Sequence, residues 1–280
     1  MFANGERASA CGAALSTATT IDTLDIQDGI NVAKGHVGCG VFASLMAFYE
    51  DLGITRSGEE FLTDLIVGYE VGSRLGAAYH RLSSTFQASG AWNAVCCAAL
   101  GARLMGLTQE QTVHAMGIAE YHAPRSDKTM RPGLDGQSMV KDGSGWCALA
   151  GVSAAYLARS GFTGAPALLV QSEECEQFWK DLGVRWYTME QYFKFYPTCR
   201  WIQPAVTAAV QLKQRHGFSV ADIEWVEVEV FEYVFRLYGE APRNTEEAQY
   251  GSKFPVAVAL THGDVTPRSV SGQALRDQGA

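Results

Sequence analysis

The feature that most constrains the fold is a run of small and apolar residues between Gly145 and Arg159, GWCALAGVSAAYLAR. Bulkier residues recur among the glycines and alanines at spacings of three and four, which is the period of an α-helix, and no face is strongly polar. Small side chains also let neighbouring helices approach closely. The sequence therefore predicts a central helix that is buried on most sides.

A charged turn, Lys141-Asp142-Gly143, stands directly before this helix. The first turn of a helix carries a partial positive charge, and a lysine beside it would complete a site for an anion. The alternative is a solvated, charged lead-in to a core helix. Periodicity alone favours the second interpretation and leaves the first open.

Composition excludes several classes of protein. The chain has 280 residues, of which 47% are hydrophobic and 19% charged, and its net charge of -8 argues against a nucleic-acid surface. No apolar stretch reaches the roughly 18 residues of a membrane span, and the N-terminus lacks the order of a signal peptide, so we expect a cytoplasmic protein without membrane contact. The seven cysteines lack a metal-ligand spacing, so we expect free thiols and no metal.

The pattern along the chain divides it into two parts. Helical periodicity dominates up to about residue 185, and a further helix is predicted later, over 204–214. Strict alternation from Ile223 to Val230 is typical of a half-buried strand. The predicted fold is mainly α with a smaller α+β domain: a large all-helical domain over residues 1–185, then a partial α+β domain over 186–280.

The polar residues that stand out lie in glycine-containing loops or before helices. They are Asp28, Lys34 and His36; Tyr79, His80, Arg81 and Gln87; Lys141 and Asp142; and Lys194, Tyr196, Arg200 and Gln203. A pocket of lysine, arginine and histidine with hydroxyls and amides suits a small polycarboxylate, and lysine or histidine can move a proton beside a carboxylate. The alternatives are ordinary ones: a histidine in a loop is solvated, and Arg200 pairs with a local acid.

Four segments resemble a known family. They are IDTLDIQDG…KGHVG (21–38), FLTDLIVGYEVGSRLG (61–76), SGAWNAVCCAALGARLMGLT (89–108) and MVKDGSGWCALAGVSAAYLARSGFTG (139–164), extended by residues 193–208 and 246–265. The chain resembles the MmgE/PrpD family, which includes 2-methylcitrate dehydratase, cis-aconitate decarboxylase and iminodisuccinate epimerase. The resemblance implies a large helical domain with a smaller α+β domain, a homodimer, a small carboxylate substrate and no cofactor.

The resemblance also implies roles for particular residues. Asp28 and His36 match the family's aspartate and loop histidine, and Lys141 matches the lysine before the central helix in one branch of the family; these three are the candidate catalytic residues. Lys194 and Tyr196 match the family's K-x-Y-P motif. The candidate substrate-binding residues are Lys34, Gln87, Lys194, Tyr196, Arg200 and Gln203.

Two positions depart from the family pattern. Gln87 and Gln203 stand where the family often has histidines, and glutamine cannot transfer a proton at neutral pH. The chain also looks shorter than family members at both ends. Two hypotheses follow: a cofactor-independent lyase or isomerase in which His36 or Lys141 moves a proton next to a carboxylate, or a catalytically inactive or fragmentary homologue that acts as a binding or assembly partner.

Overall fold

The computed structural model describes residues 5–125, 139 and 141–275. The described residues form two compact units. The first unit takes in residues 5–23, 27–125 and 142–193, and the second takes in residues 24–26, 139, 141 and 194–275. Most of the polar loop that the sequence predicts over 121–137 lies outside the described residues.

The first unit is built from helices. They are α1 (Ala10–Asp22), α2 (Gly38–Leu52), α3 (Gly58–Leu82), α4 (Gly90–Leu104), α5 (Gln109–His122), α6 (Ser144–Arg159) and the short α7 (Leu168–Gln171). Two of them begin with the capping box that their sequences predict: Ser57 accepts from the N–H of Glu60 at 3.3 Å, and Thr108 accepts from the N–H of Gln111 at 3.2 Å.

The end of α3 differs from the sequence prediction. Residues 80–91 (HRLSSTFQASGA) break the helical pattern, which predicts a loop, but α3 continues to Leu82 and α4 already begins at Gly90. Arg81 occupies the last turn of α3, where a positive side chain favours the negative end of a helix, and His80 Nδ1 donates to the carbonyl oxygen of Gly76 at 2.9 Å. These local contacts extend the helix beyond its apolar stripe.

Helix α6 lies at the centre of the first unit, packed against α1, α2, α4 and α5. The predicted burial is confirmed for its small residues, whereas Trp146 and Leu157 are exposed. Gly151 allows the closest approach: a Cβ added there would lie 2.5 Å from the carbonyl oxygen of Ala94 and closer still to the Cβ of Cys97, both on α4. The α4–α6 contact therefore requires a residue without a side chain at position 151.

A short antiparallel ladder is the only β-sheet in the part of the chain that the structure describes. Strand β1 (Asp28–Gly29) pairs with β2 (Tyr192–Phe193), with Asp28 opposite Phe193 and Gly29 opposite Tyr192. The ladder joins the segment before α2 to a segment that follows it by more than 150 residues in sequence. It anchors the start of the loop that carries His36.

The second unit contains α8 (Gln203–His216), α9 (Thr245–Gln249) and α10 (Phe254–His262). Its core includes Val206 and Val210 from α8 and Val256 and Leu260 from α10. Within this unit, the only β-pairing among the described residues is an isolated parallel bridge between Tyr238 and Gly251.

The strand predicted for Ile223–Val230 is wrong: the structure assigns no β-ladder to this segment. Alternation identifies a segment with one apolar and one polar face, but a strand also needs a hydrogen-bonded neighbour, which alternation cannot supply. Val226, Val228 and Val230 line a small cavity together with side chains of the second unit's core. Val226 and Val228 nevertheless remain exposed, so packing covers this apolar face only in part.

The prediction of a mainly α protein with a smaller α+β part is confirmed. None of the seven cysteines, all of which lie in the described ranges, is assigned to a disulfide, and five of them are buried, as expected for thiols used as small apolar residues. None of the helices in the described ranges combines the length and the apolar character needed to cross a bilayer.

Gly151→Ala should destabilise the protein by about 1–3 kcal/mol, because the new methyl group would meet the backbone of α4 and force the two helices apart. Gly58→Ala is the matched control, since nothing lies within 4 Å of a Cβ at position 58 and α3 gains a better helix former. Urea denaturation measures both. Equal midpoints for the two variants would contradict the close contact.

His80 should make the protein less stable in mild acid. Burial lowers the pKa of His80, with a further contribution from Lys34. As pH falls below the unfolded-state pKa of about 6.5, the unfolded chain binds the proton first, so the free energy of unfolding decreases until the pH passes the folded-state pKa. His80→Gln should flatten this dependence in urea titrations between pH 7 and 5. If the free energy of unfolding changed with pH equally in the wild type and in His80→Gln, the predicted role of His80 would be contradicted.

Candidate active site

His36 lies in the loop between β1 and α2 and is held at two points. Its Nδ1 hydrogen-bonds the backbone carbonyl oxygen of Asp28, and its main-chain N–H donates to Ser89 Oγ at 3.0 Å. A carbonyl oxygen can only accept, so Nδ1 carries a proton and Nε2 is the nitrogen available for acid–base chemistry. Gly35 permits this arrangement, because a Cβ there would lie 2.6 Å from Ser89 Oγ.

Asp142 faces the other nitrogen of the same ring. Its Oδ2 lies 3.7 Å from His36 Nε2, and both side chains are buried. The Asp142 backbone has a φ of 36°, and its carbonyl oxygen accepts from the N–H of Gly90 at 2.8 Å. The sequence marks Asp142 as a polar residue before a helix but does not predict it as a catalytic or substrate-binding residue. The Asp142-Gly143 pair is a turn signal, but it does not indicate a histidine partner.

The side chain of Asp28 is directed to the start of α2. Its Oδ1 accepts from the N–H of Gly38 at 3.3 Å, which places a carboxylate at the positive end of that helix. Tyr69 of α3 is close by: burial, together with the charge of Asp28, raises the pKa of Tyr69. Tyr69 therefore stays a neutral phenol, and Asp28 contributes to the site through both its carbonyl and its carboxylate.

Two further candidates of the first unit differ in exposure. Lys34 is exposed and has a φ of 50°, on the loop that carries His36. Gln87 is buried, and its amide nitrogen donates to Thr85 Oγ1 at 3.1 Å. Gln87 Oε1 has no hydrogen-bond partner within the described ranges. Gln87 lies two residues before Ser89, and Ser89 contacts His36.

In the second unit, Lys141 is buried and bonded. Its Nζ donates to Gln249 Oε1 and lies 5.9 Å from the centroid of the Tyr250 ring. The interpretation of 141–143 as a solvated lead-in is wrong, because both Lys141 and Asp142 are buried. Gln249 and Tyr250 follow one another at the end of α9, and nothing in their local sequence indicates a lysine partner more than 100 residues away.

Lys194, the lysine of K-x-Y-P, forms a buried ion pair. Its Nζ lies 2.5 Å from Asp25 Oδ1 and 3.0 Å from the Asp25 carbonyl oxygen, and neither side chain is more than 1% exposed. The two residues lie far apart in sequence, and no sequence pattern predicts this pair. Asp25 was not predicted as a site residue.

Gln203 organises the turn of the same motif. Its Nε2 donates to the carbonyl oxygen of Tyr196 at 2.7 Å and to Thr198 Oγ1 at 2.8 Å, while its Oε1 accepts from the N–H of Phe195 at 3.2 Å. Both ends of the amide are thus engaged in holding the turn. Tyr196 and Arg200 are half-buried beside it.

Backbone strain coincides with the candidate residues. Among the described non-glycine residues, positive φ values occur only at Asp25, Lys34 and Asp142. Such conformations cost roughly 1–2 kcal/mol for most residues, less for aspartate, and they concentrate at functional sites. Each of the three is a candidate residue or contacts one directly.

The described cavities lie away from the candidate residues. An open groove of about 1030 Å³ in the second unit is lined mainly by apolar side chains of α8 and residues 222–231, and it includes none of the candidate residues. Within residues 5–125, 139 and 141–275, no three His, Cys, Asp or Glu side chains are grouped so as to hold a metal ion.

Comparison with known protein families identifies two domains in the sequence. Residues 1–178 match the MmgE/PrpD N-terminal domain, and residues 196–279 match the MmgE/PrpD C-terminal domain. The chain belongs to the MmgE/PrpD family.

Two curated relatives are similar over much of the chain. One is a cis-aconitate decarboxylase-like protein, oryM, of Aspergillus oryzae, 25% identical over 95% of this chain and 60% of its own length. The other is the cis-aconitate decarboxylase of Aspergillus terreus, 24% identical over 76% of this chain and 47% of its own length. The chain thus spans only about half to three fifths of the relatives it matches, and both relatives are lyase-type enzymes by name.

Removing the charge of Lys194 should destabilise the second unit. Lys194→Met leaves Asp25 buried without its partner, which costs about 3–5 kcal/mol. Asp25→Asn in the Lys194→Met background should recover part of the loss, and asparagine tolerates the left-handed backbone. Chemical denaturation of the single and double variants measures the coupling. A Lys194→Met variant as stable as the wild type would contradict a stabilising role for the ion pair and would favour a binding role for Lys194.

Proposed function

We propose that the chain is a lyase that acts on a small di- or tricarboxylate and transfers a proton next to a carboxylate, with His36 as the group that moves the proton. The observation that carries the proposal is the anchored ring: Nδ1 is bonded to the Asp28 carbonyl, so Nε2, which faces Asp142, is the nitrogen left to exchange a proton. The relatives named as decarboxylases support a lyase over an isomerase.

Cis-aconitate is the first substrate to consider, because one relative is named for its decarboxylation. In such a reaction the C–C bond to one carboxylate breaks, CO₂ leaves, and the electron pair stays on the carbon skeleton. A proton from His36 Nε2 then forms the new C–H bond, and His36 regains its proton from solvent. This sequence needs no cofactor.

The remaining carboxylates of the substrate need positive partners. We assign this role to Lys34, Lys141 and Arg200, whose charges would also stabilise the carbanion-like intermediate. Lys141 is buried, and its Nζ donates to the side-chain oxygen of Gln249, which holds the ammonium group in place. Gln87, Tyr196 and, less directly, Lys194 and Gln203 would shape the binding surface. A homodimer in the cytoplasm remains part of the proposal.

A second candidate is a catalytically inactive homologue that serves as a binding partner. One observation favours it: Gln203, at a position where the family often has a histidine, uses its whole amide to hold the 195–198 turn. A residue engaged in this way contributes stability and no proton transfer.

The test is turnover in D₂O followed by NMR, with cis-aconitate, 2-methylcitrate, citrate and iminodisuccinate as the panel. We expect one compound to lose CO₂ or water or to exchange a C–H proton. His36→Gln should lower kcat by about 10²–10⁴-fold, because the proton-transfer group is lost. His262→Gln, at an exposed position at the end of α10, is the matched control and should leave the rate unchanged.

Full activity of His36→Gln would contradict the assigned role. A folded wild-type protein that is silent with every compound of the panel would favour the inactive homologue.

A further inference from the structure

His36 is fixed so that both ring nitrogens face oxygen atoms. Nδ1 bonds the carbonyl oxygen of Asp28, and Nε2 lies 3.7 Å from Asp142 Oδ2. In the neutral ring, Nε2 would direct its lone pair at a carboxylate, which is unfavourable. In the imidazolium form, both nitrogens are donors and both face acceptors. The positions of the two acceptor oxygens therefore favour the imidazolium form of His36.

We propose that Asp142 is a positioning residue that keeps His36 protonated at neutral pH, so that His36 begins the reaction as a proton donor. The proposal rests on the proposed function for its role in catalysis, but the protonation state that it assigns can be measured without a substrate. No role for Asp142 followed from the sequence motifs.

The groups around His36 favour the positive ring overall. Asp142 before α6 and Asp28 before α2 supply negative charge, although Asp28 also faces the positive end of α2. Tyr69 of α3 stays neutral, because burial and Asp28 raise its pKa. Ser89, at the start of α4, contributes a neutral hydroxyl that accepts from the His36 main chain. Lys34 opposes the positive ring, but it is exposed and screened by solvent.

Asp142 is held in place by backbone contacts that do not involve its carboxylate. Its φ of 36° is left-handed, and its carbonyl oxygen accepts from Gly90 N at 2.8 Å. A Cβ at position 90 would lie 2.7 Å from the carbonyl oxygen of Gly143, so the start of α4 and the turn before α6 fit closely. The carboxylate is therefore preorganised against Nε2 before any ligand binds.

The protonation state of His36 determines the order of the proton transfers. A ring that is already protonated cannot abstract a proton, but it can deliver one to the carbon that CO₂ has left. Activity should then fall at high pH, when the His36–Asp142 pair loses its proton. Asp142→Asn removes the negative charge, so this fall should move to lower pH.

The experiment is a pH titration by NMR of the full chain labelled with ¹⁵N in its imidazole rings. The chain has six histidines, and the signal that disappears in His36→Gln identifies His36. We expect the wild-type ring to be an imidazolium at pH 7. In Asp142→Asn its titration midpoint should fall by about one to three pH units, the usual effect of removing an opposite charge at this range. Asparagine tolerates the left-handed backbone, which preserves the turn.

Asp51→Asn is the matched control. Asp51 accepts from the Tyr156 hydroxyl on the protein surface, and its loss should leave the His36 midpoint in place. A neutral His36 in the wild type at pH 7 would overturn the proposal, and this result does not depend on any variant folding. An unchanged midpoint in folded Asp142→Asn would overturn it as well. A protein with the predicted titration but no turnover would refute the proposed function and leave the assigned pair intact.

Discussion

The close contact between α4 and α6 is the constraint on which the first unit depends. Gly151 lets the two helices approach until a single methyl group would collide with the α4 backbone. At the other end of the same contact, the N–H of Gly90 binds the carbonyl oxygen of Asp142. The packing that fills the core therefore also sets the position of the turn before α6, and with it the carboxylate that faces His36.

Both units contain buried charged side chains. Removing an ion from water is costly, so buried charges persist when a partner or several hydrogen bonds compensate for the lost hydration. His36 and Asp142 satisfy this condition within the first unit, and Lys194 and Asp25 satisfy it within the second. Lys141, also in the second unit, is buried and donates to the side-chain oxygen of Gln249.

Much of the helical fold could be predicted from the sequence, because helical period and capping residues are local. The central helix over 145–159 and the capped starts at Ser57 and Thr108 were all predicted from neighbours within one or two turns. The predicted strand over 223–230 failed for the opposite reason, since a strand depends on a partner that may lie anywhere in the chain. Local contacts at His80 likewise extended α3 beyond its apolar pattern.

The candidate site was only partly predictable. His36 and Asp28 came from a resemblance to a family, and the structure brings them together through a backbone carbonyl, which no side-chain pattern encodes. Asp142 and Asp25 were missed because their partners lie more than 100 residues away in sequence and their positive φ values cannot be read from residue type. Gln203 was assigned to substrate by analogy, whereas its amide is engaged in a turn of its own segment.

Neutron diffraction from a deuterium-exchanged crystal at pH 7 would test the account most directly, because it locates the hydrogen atoms of the His36 ring. We expect a deuterium on Nδ1 directed at the carbonyl oxygen of Asp28 and a second on Nε2 directed at Asp142. A ring with a bare Nε2, or one turned so that Nδ1 no longer faces the Asp28 carbonyl, would contradict the central claim that the fold prepares His36 as a proton donor.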